Sequence, residues 1–156
     1  MKQTLLKTES LSKTFSNGGQ LQHVLKNIDL ELYRGDFTVI MGASGAGKST
    51  LLYALSGMDT PSLGKITFGD KIISDLSQDG LAVFRRNHCG FVFQQIYLID
   101  GMSVSDNVLS AGLLVSKDKK ALVARAKELF AAVGISEETQ KKFPAQISGG
   151  EAQRVG

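Results

Sequence analysis

Between Met41 and Leu51 the chain carries Gly42-Ala43-Ser44-Gly45-Ala46-Gly47-Lys48-Ser49-Thr50, a match to the spacing G-x-x-x-x-G-K-[ST]. Few architectures accommodate such a run. Its three glycines let the backbone curl closely around an anion, while successive N–H groups and the start of a helix direct positive charge at it. Lys48 adds a point charge, and Ser49 offers a hydroxyl, the kind of hard oxygen ligand that Mg²⁺ takes. The flanks fit the same geometry. Phe37-Thr38-Val39-Ile40-Met41 predicts a buried strand before the loop, and Leu51, Leu52 and Leu55 put an apolar stripe on a following helix that Gly57 ends. The run therefore predicts a strand, loop and helix around the phosphates of a nucleoside triphosphate. A glycine-rich strand-to-helix turn with a surface lysine is the plain alternative.

Composition narrows the class. At 156 residues, 42% hydrophobic and 21% charged, the chain suits one globular domain with a core of its own. The longest nearly apolar run, Val108 to Val115, is interrupted by Ser110 and Gly112 and falls well short of the about 20 residues of a membrane span. The N-terminus, Met1-Lys2-Gln3-Thr4-Leu5-Leu6-Lys7, lacks the apolar centre of a signal peptide, which predicts a cytoplasmic location. A net charge of +3 with scattered lysines gives no basic stripe, so no nucleic-acid partner is expected. Cys89 stands alone beside His88, which is too few ligands for a metal and too few partners for a nucleophile.

Three zones follow along the chain. From Thr4 to Met41, short apolar or alternating segments with turns at Asn17-Gly18-Gly19 and Arg34-Gly35-Asp36 predict strands. After the loop helix come a turn at Pro61-Ser62-Leu63-Gly64, a short strand from Lys65 to Phe68, a helix from Gln78 to Asn87 and a strand-like Gly90 to Phe93. Beyond Asp100 the period turns helical. Val104, Val108, Ala111 and Val115 mark one segment, and Leu122, Ala126, Leu129, Phe130 and Val133 a second. Gly134 and Pro144 bound the last loop before Ile147-Ser148-Gly149-Gly150-Glu151.

That last string has two readings. Ser148 followed three residues later by Glu151 fits a capping box, which satisfies free N–H groups and does nothing else. A double-glycine turn opening a helix also exposes backbone donors at its positive end. Together with the loop at Gly42, the run Ile147-Ser148-Gly149-Gly150-Glu151-Ala152-Gln153-Arg154 resembles the signature motif of ATP-binding cassette (ABC) ATPases. Two further landmarks fall in the family's order. Phe91-Val92-Phe93-Gln94-Gln95 resembles the strand that ends in the Q-loop glutamine, and Lys13-Thr14-Phe15 resembles the A-loop. The likeness spans residues 2–156 and is nearest to ATPase subunits of the lipoprotein-release, macrolide-export and antimicrobial-peptide-resistance type.

The resemblance implies an α/β fold of the P-loop NTPase class. It would have an N-terminal antiparallel β subdomain, a partial RecA-like core and a helical subdomain. One cassette would run over 1–156, with a β-rich lead-in and loop strand at 2–41, core elements at 42–95 and the helical part at 96–156. By that likeness Phe15 stacks on adenine, where it could equally be core, and Gly42 through Thr50 hold ATP and Mg²⁺. Gln94, with Lys48 one of the two catalytic candidates, joins Ser49 at the metal; by itself it could be a surface amide. Ser148, Gly149 and Gly150 would meet the γ-phosphate bound by a second ATPase subunit in a head-to-tail dimer. A transmembrane permease subunit would hold the assembly on the inner face of the cell membrane, in an exporter powered by ATP hydrolysis.

Ile147 and Glu151 replace the commonest leucine and glutamine of the signature but leave the Ser-Gly-Gly turn intact. A larger departure is that the family's apolar strand ending Asp-Glu and its switch histidine have no counterpart among these residues. Ile96-Tyr97-Leu98-Ile99-Asp100 has the apolar-then-Asp form, but Gly101 stands where the glutamate belongs, and the segment reads as a loop. The expectation is a cassette incomplete at its C-terminus. Its alternative function is a nucleotide-binding module without hydrolysis, and its apolar faces should be exposed.

Overall fold

Gly18 and Gly19, at φ of 56° and 86°, supply the two positive angles that a two-residue turn needs to join strongly twisted strands. They close a hairpin of β1 (Thr4–Asn17) and β2 (Gln20–Tyr33), with Asn17 opposite Gln20. The computed structural model describes residues 2–156. β3 (Leu63–Phe68) pairs antiparallel with the other edge of β1, and β4 (Lys71–Ile72) with β3, in the order β2-β1-β3-β4. The expected antiparallel β subdomain is therefore present. Register shifts interrupt the β1–β2 ladder, and Ser10 and Asn27 sit there at positive φ, as bulge residues do.

The chain divides into two compact units between Cys89 and Gly90. In the first, α1 (Lys48–Leu55) and α2 (Gln78–His88) cover the sheet. Leu6, Leu11, Leu25 and Ile66 from the strands meet Ala54 and Leu55 of α1, Ile73, and Phe84 of α2. Each large side chain so buried contributes about 1.5–3 kcal/mol, which is what fixes the helices on the sheet. Ser77 caps α2 by accepting the Gly80 N–H, and Arg85, Arg86 and His88 complement the helix dipole in its last turn. His88 packs against Phe68 and Phe84, and the half-buried Cys89 thiol points at the Ser56 carbonyl. Burial pushes that thiol's pKa up, which makes it a poorer nucleophile.

In the second unit α3 (Val104–Leu113), α4 (Lys119–Ala132), α5 (Glu137–Gln140) and α6 (Gly149–Val155) form the helical part. Val104, Ala126, Phe130 and Ile135 make its core. Serine or aspartate caps each helix: Ser103, Asp118, Ser136 and Ser148 accept N–H groups of the first turn. No helix among the described residues is long and apolar enough to cross a membrane.

Several expectations fail in instructive ways. Phe37–Met41 is not a strand and is not buried, with Phe37 94% and Met41 85% exposed. Gly90–Phe93 likewise pairs with nothing, and Val92 is 95% exposed. A central strand is held by neighbours on both edges and cover on both faces. Among the described residues the sheet consists of β1 to β4 alone, so neither segment has a ladder to join. Leu52 faces water although Ala54 and Leu55 of the same helix are buried, so the apolar stripe on α1 is narrower than its leucines suggest. Val115 lies beyond the end of α3, and Leu129 and Val133 are exposed, leaving Ala126 and Phe130 as the buried side of α4.

Candidate functional site

In the first unit, residues 42–47 form an irregular loop whose end is Gly47, the N-cap of α1. Gly47 has φ 84°, and a Cβ there would stand 3.0 Å from Val24 Cγ1 and 3.1 Å from the Val24 carbonyl oxygen. The φ angle favours glycine, and a side chain would press on Val24. Gly45, at φ 79°, has open space where a side chain would be. Lys48 Nζ donates to the carbonyls of Gly42 at 2.9 Å and Ala43 at 2.8 Å, which ties the first turn of the loop to the start of the helix. Ala46 N–H donates to the Ala43 carbonyl and tightens the same turn.

The start of α1 carries no side-chain cap and no acidic residue. The five other α-helices among the described residues have side-chain caps. An uncapped helix start beside open glycine backbone is where an anion's oxygens find donors. Ser44, Gly45, Gly47, Lys48, Ser49 and Thr50 line a cleft of about 290 Å³ there with Val24. A neighbouring cleft of about 410 Å³ runs past Val24, Leu25, Met41 and Lys48 to His23. Val24 lines both, so β2 forms their common wall. These residues fit a triphosphate with its metal. Glycine leaves room for the oxygens, backbone N–H groups and Lys48 supply positive charge, and exposed Ser49 offers a hydroxyl.

Phe15 lies near the end of β1, opposite Gln22. It is 42% exposed, so it is not a core residue. Lys13 Nζ stands over its ring, 5.1 Å from the centroid, and donates to Asp59 Oδ1 at 2.6 Å and the Thr60 carbonyl at 2.7 Å. Sequence reasoning singled out Phe15 but passed over this lysine. A salt bridge across 46 positions leaves no local pattern.

The remaining candidates belong to the second unit. Gln94 is exposed at a bend. Phe91 and Phe93 stack on one side of this extended stretch with ring centroids 5.7 Å apart, and Tyr97 meets Phe93 edge-on. Ile96–Asp100 is a loop, in keeping with its reading from sequence. Asn107 organises it, accepting from Ile99 N–H at 2.7 Å and donating to the carbonyls of Ile99, Met102 and Ser103. That role could be anticipated only as an asparagine in the first turn of a helix after a loop.

Ser148 opens α6 with a complete capping box. Its hydroxyl accepts the Glu151 N–H, and Glu151 Oε2 accepts the Ser148 N–H at 2.9 Å and its hydroxyl at 2.8 Å. These bonds hold the Glu151 carboxyl below its ordinary pKa. Gly149 has nothing within 4 Å of a notional Cβ, so the turn keeps an open backbone face. Both readings of this string are compatible with one structure: the cap is real, and the glycine donors stay accessible. A larger cleft of about 540 Å³ lies among Leu109, Leu113, Leu122 and Phe143 of the same unit, lined mainly by apolar groups and without a glycine cradle.

With this geometry in place, the comparisons with known proteins decide the lineage. The profile of the family described as ABC transporter matches residues 25–156. The chain belongs to the ABC transporter family. Among ABC proteins, the macrolide export ATP-binding/permease protein MacB of Wolinella succinogenes is 40% identical over 159 residues, covering 99% of this chain and 24% of that protein. The lipoprotein-releasing system ATP-binding protein LolD of Idiomarina loihiensis is 38% identical over 155 residues, covering 99% of this chain and 68% of LolD. This ABC chain thus spans about a quarter of the one relative and about two thirds of the other.

The dimeric ATP-binding cassette MJ0796, solved with ADP and Pi, superposes with a TM-score of 0.87 at 33% identity, over 97% of this chain and 66% of that one. CbiO1 from Clostridium perfringens, part of the cbiONQ transporter complex, gives 0.78 at 32% identity, over 99% and 59%. The fold is that of an α/β ABC ATPase cassette.

Proposed function

We propose that the chain is the ATP-binding part of a subunit that powers a membrane exporter. The observation that carries the reading is the uncapped α1 beside the open glycine loop, a site shaped for phosphate and otherwise a local flaw. Gly42 through Ser49 and Thr50 cradle the phosphates of ATP. Lys48 would exchange its loop carbonyls for phosphate oxygens, and Ser49 would offer its hydroxyl to Mg²⁺, which when bound would draw charge from the γ-phosphate. Phe15 stacks on adenine, worth about 1–3 kcal/mol. Gln94 sits on an exposed, unpaired stretch suited to following the state of the nucleotide.

The dimeric state in the MJ0796 structure supports a head-to-tail pair in which Ser148, Gly149 and Gly150 of one subunit reach the γ-phosphate held by the other. The names of the MacB and LolD relatives support an exporter and a permease partner, and such a partner would hold the subunit at the inner face of the cell membrane.

A mixing experiment tests this arrangement. Lys48→Ala and Gly149→Arg should each abolish ATP turnover alone in the full-length subunit. Mixed one to one, they should recover about a quarter of it, because half of random pairs are heterodimers and each has one intact site. No recovery would rule out a site shared between subunits. A second reading, a nucleotide-binding module without turnover, is favoured by the cleft around Lys48, whose lining carries no carboxylate to polarise an attacking water. Turnover by the 156 residues alone would exclude it.

A further inference from the structure

The proposed adenine contact is an aromatic ring on an exposed strand end, where a phenylalanine is ordinarily free to turn about its side-chain bonds. One face of this ring is occupied. The Lys13 ammonium lies 5.1 Å from its centroid, and the Lys13 side chain is only 12% exposed. Two of its three donors are spent on Asp59 Oδ1, at 2.6 Å, and on the Thr60 carbonyl, at 2.7 Å. Asp59 is in turn fixed, because its Oδ1 accepts the Thr60 N–H at 2.8 Å and its own N–H reaches the Tyr53 carbonyl in α1. Ser62 stitches the same loop to β1, with its N–H on the Ser12 carbonyl and its hydroxyl accepting the Thr14 N–H. The cation is therefore a fixed point, anchored to the helix whose first residue is Lys48.

We propose that Lys13 is a positioning residue for base recognition: held by Asp59 and Thr60, its ammonium covers one face of Phe15 and presents the other to the base of the nucleotide. The chemistry suits the task. A cation prefers the electron-rich face of an aromatic ring and so restrains the ring's rotation, and a pre-oriented ring loses less freedom when a purine stacks on it. The link through Asp59 to α1 also sets the distance between the base contact and the phosphate loop, two ends of one ligand carried on elements far apart in sequence. The inference rests on the reading of Phe15 as the stacking residue.

Calorimetric titration with ATP and with inorganic triphosphate, which has no base, tests it on wild type, Phe15→Ala, Lys13→Met, Lys13→Arg and the Phe15→Ala/Lys13→Met double variant. Phe15→Ala should weaken ATP at least about fivefold, and Lys13→Met about two- to fivefold. The double variant should be no weaker than Phe15→Ala, Lys13→Arg should stay near wild type, and inorganic triphosphate should bind all five alike. Weaker ATP binding in Phe15→Ala with none in Lys13→Met would overturn the positioning role. Equal losses for ATP and inorganic triphosphate in Lys13→Met would overturn it too, by showing general loosening of the loop. If Phe15→Ala leaves ATP unchanged, the stacking role fails and takes this inference with it. Should Lys13→Met not fold, Asp59→Asn carries the test, with weaker ATP and unchanged triphosphate expected and unchanged ATP contradicting it.

Discussion

At the scale of single residues, Gly47 shows how a motif position is set twice over. Its φ of 84° suits glycine, and its missing side chain leaves the contact with Val24 that shapes the wall of the cleft. Gly47→Ala should cost about 1–2 kcal/mol in conformation alone, with the crowding against Val24 added. A lower thermal midpoint and weaker ATP binding are expected together. An unchanged midpoint would mean that the loop relaxes freely. Lys48, Ser49 and Gly47 were legible as candidates because their spacing is itself the chemical requirement. Lys13 and Asn107 were not, since each acts through partners that only the folded chain brings near, Asp59 and Thr60 for one and the 99–103 loop for the other.

At the scale of elements, the start of α6 contains its own pH-sensitive feature. Glu151 accepts both the N–H and the hydroxyl of Ser148, and these bonds favour its charged form. Its folded pKa lies below the unfolded one. The stabilisation is therefore present above the ordinary glutamate value, about 4.3, and is lost as pH falls below it towards the folded value. A carbon-13 titration should place the Glu151 midpoint below about 4.3, and a midpoint at or above that would contradict the capping geometry. Glu151→Gln should remove this acid-dependent part while keeping the cap's acceptor. The same element shows what sequence could deliver. Ser-x-x-Glu spells out the box and Asn17-Gly18-Gly19 marks the turn between β1 and β2, whereas the caps at Ser77 and Ser103 emerge only in the folded chain. Phe37–Met41 and Gly90–Phe93 read as strands because apolar runs look alike whether or not a neighbour exists. Pairing is a property of the sheet, and among the described residues no strand stands beside either run.

At the scale of the whole chain, two compact units carry the candidate residues. Phe15 and the phosphate loop belong to the first, and Gln94 and the signature to the second. Phe37, Val39, Met41 and Val92 are all large apolar side chains left more than half exposed. Such groups seek cover, so the 156-residue chain by itself should self-associate or aggregate. Size-exclusion chromatography with light scattering reads this directly, and a monomeric elution with a cooperative thermal transition would refute it.

If residues 42–50 hold the triphosphate, ATP affinity must differ between wild type and Lys48→Ala. The substitution should raise the Kd at least tenfold, about 1.4 kcal/mol, since it removes the loop's only side-chain cation. An unchanged affinity would show that ATP binds elsewhere or not through this loop, and the functional reading built on it would fall.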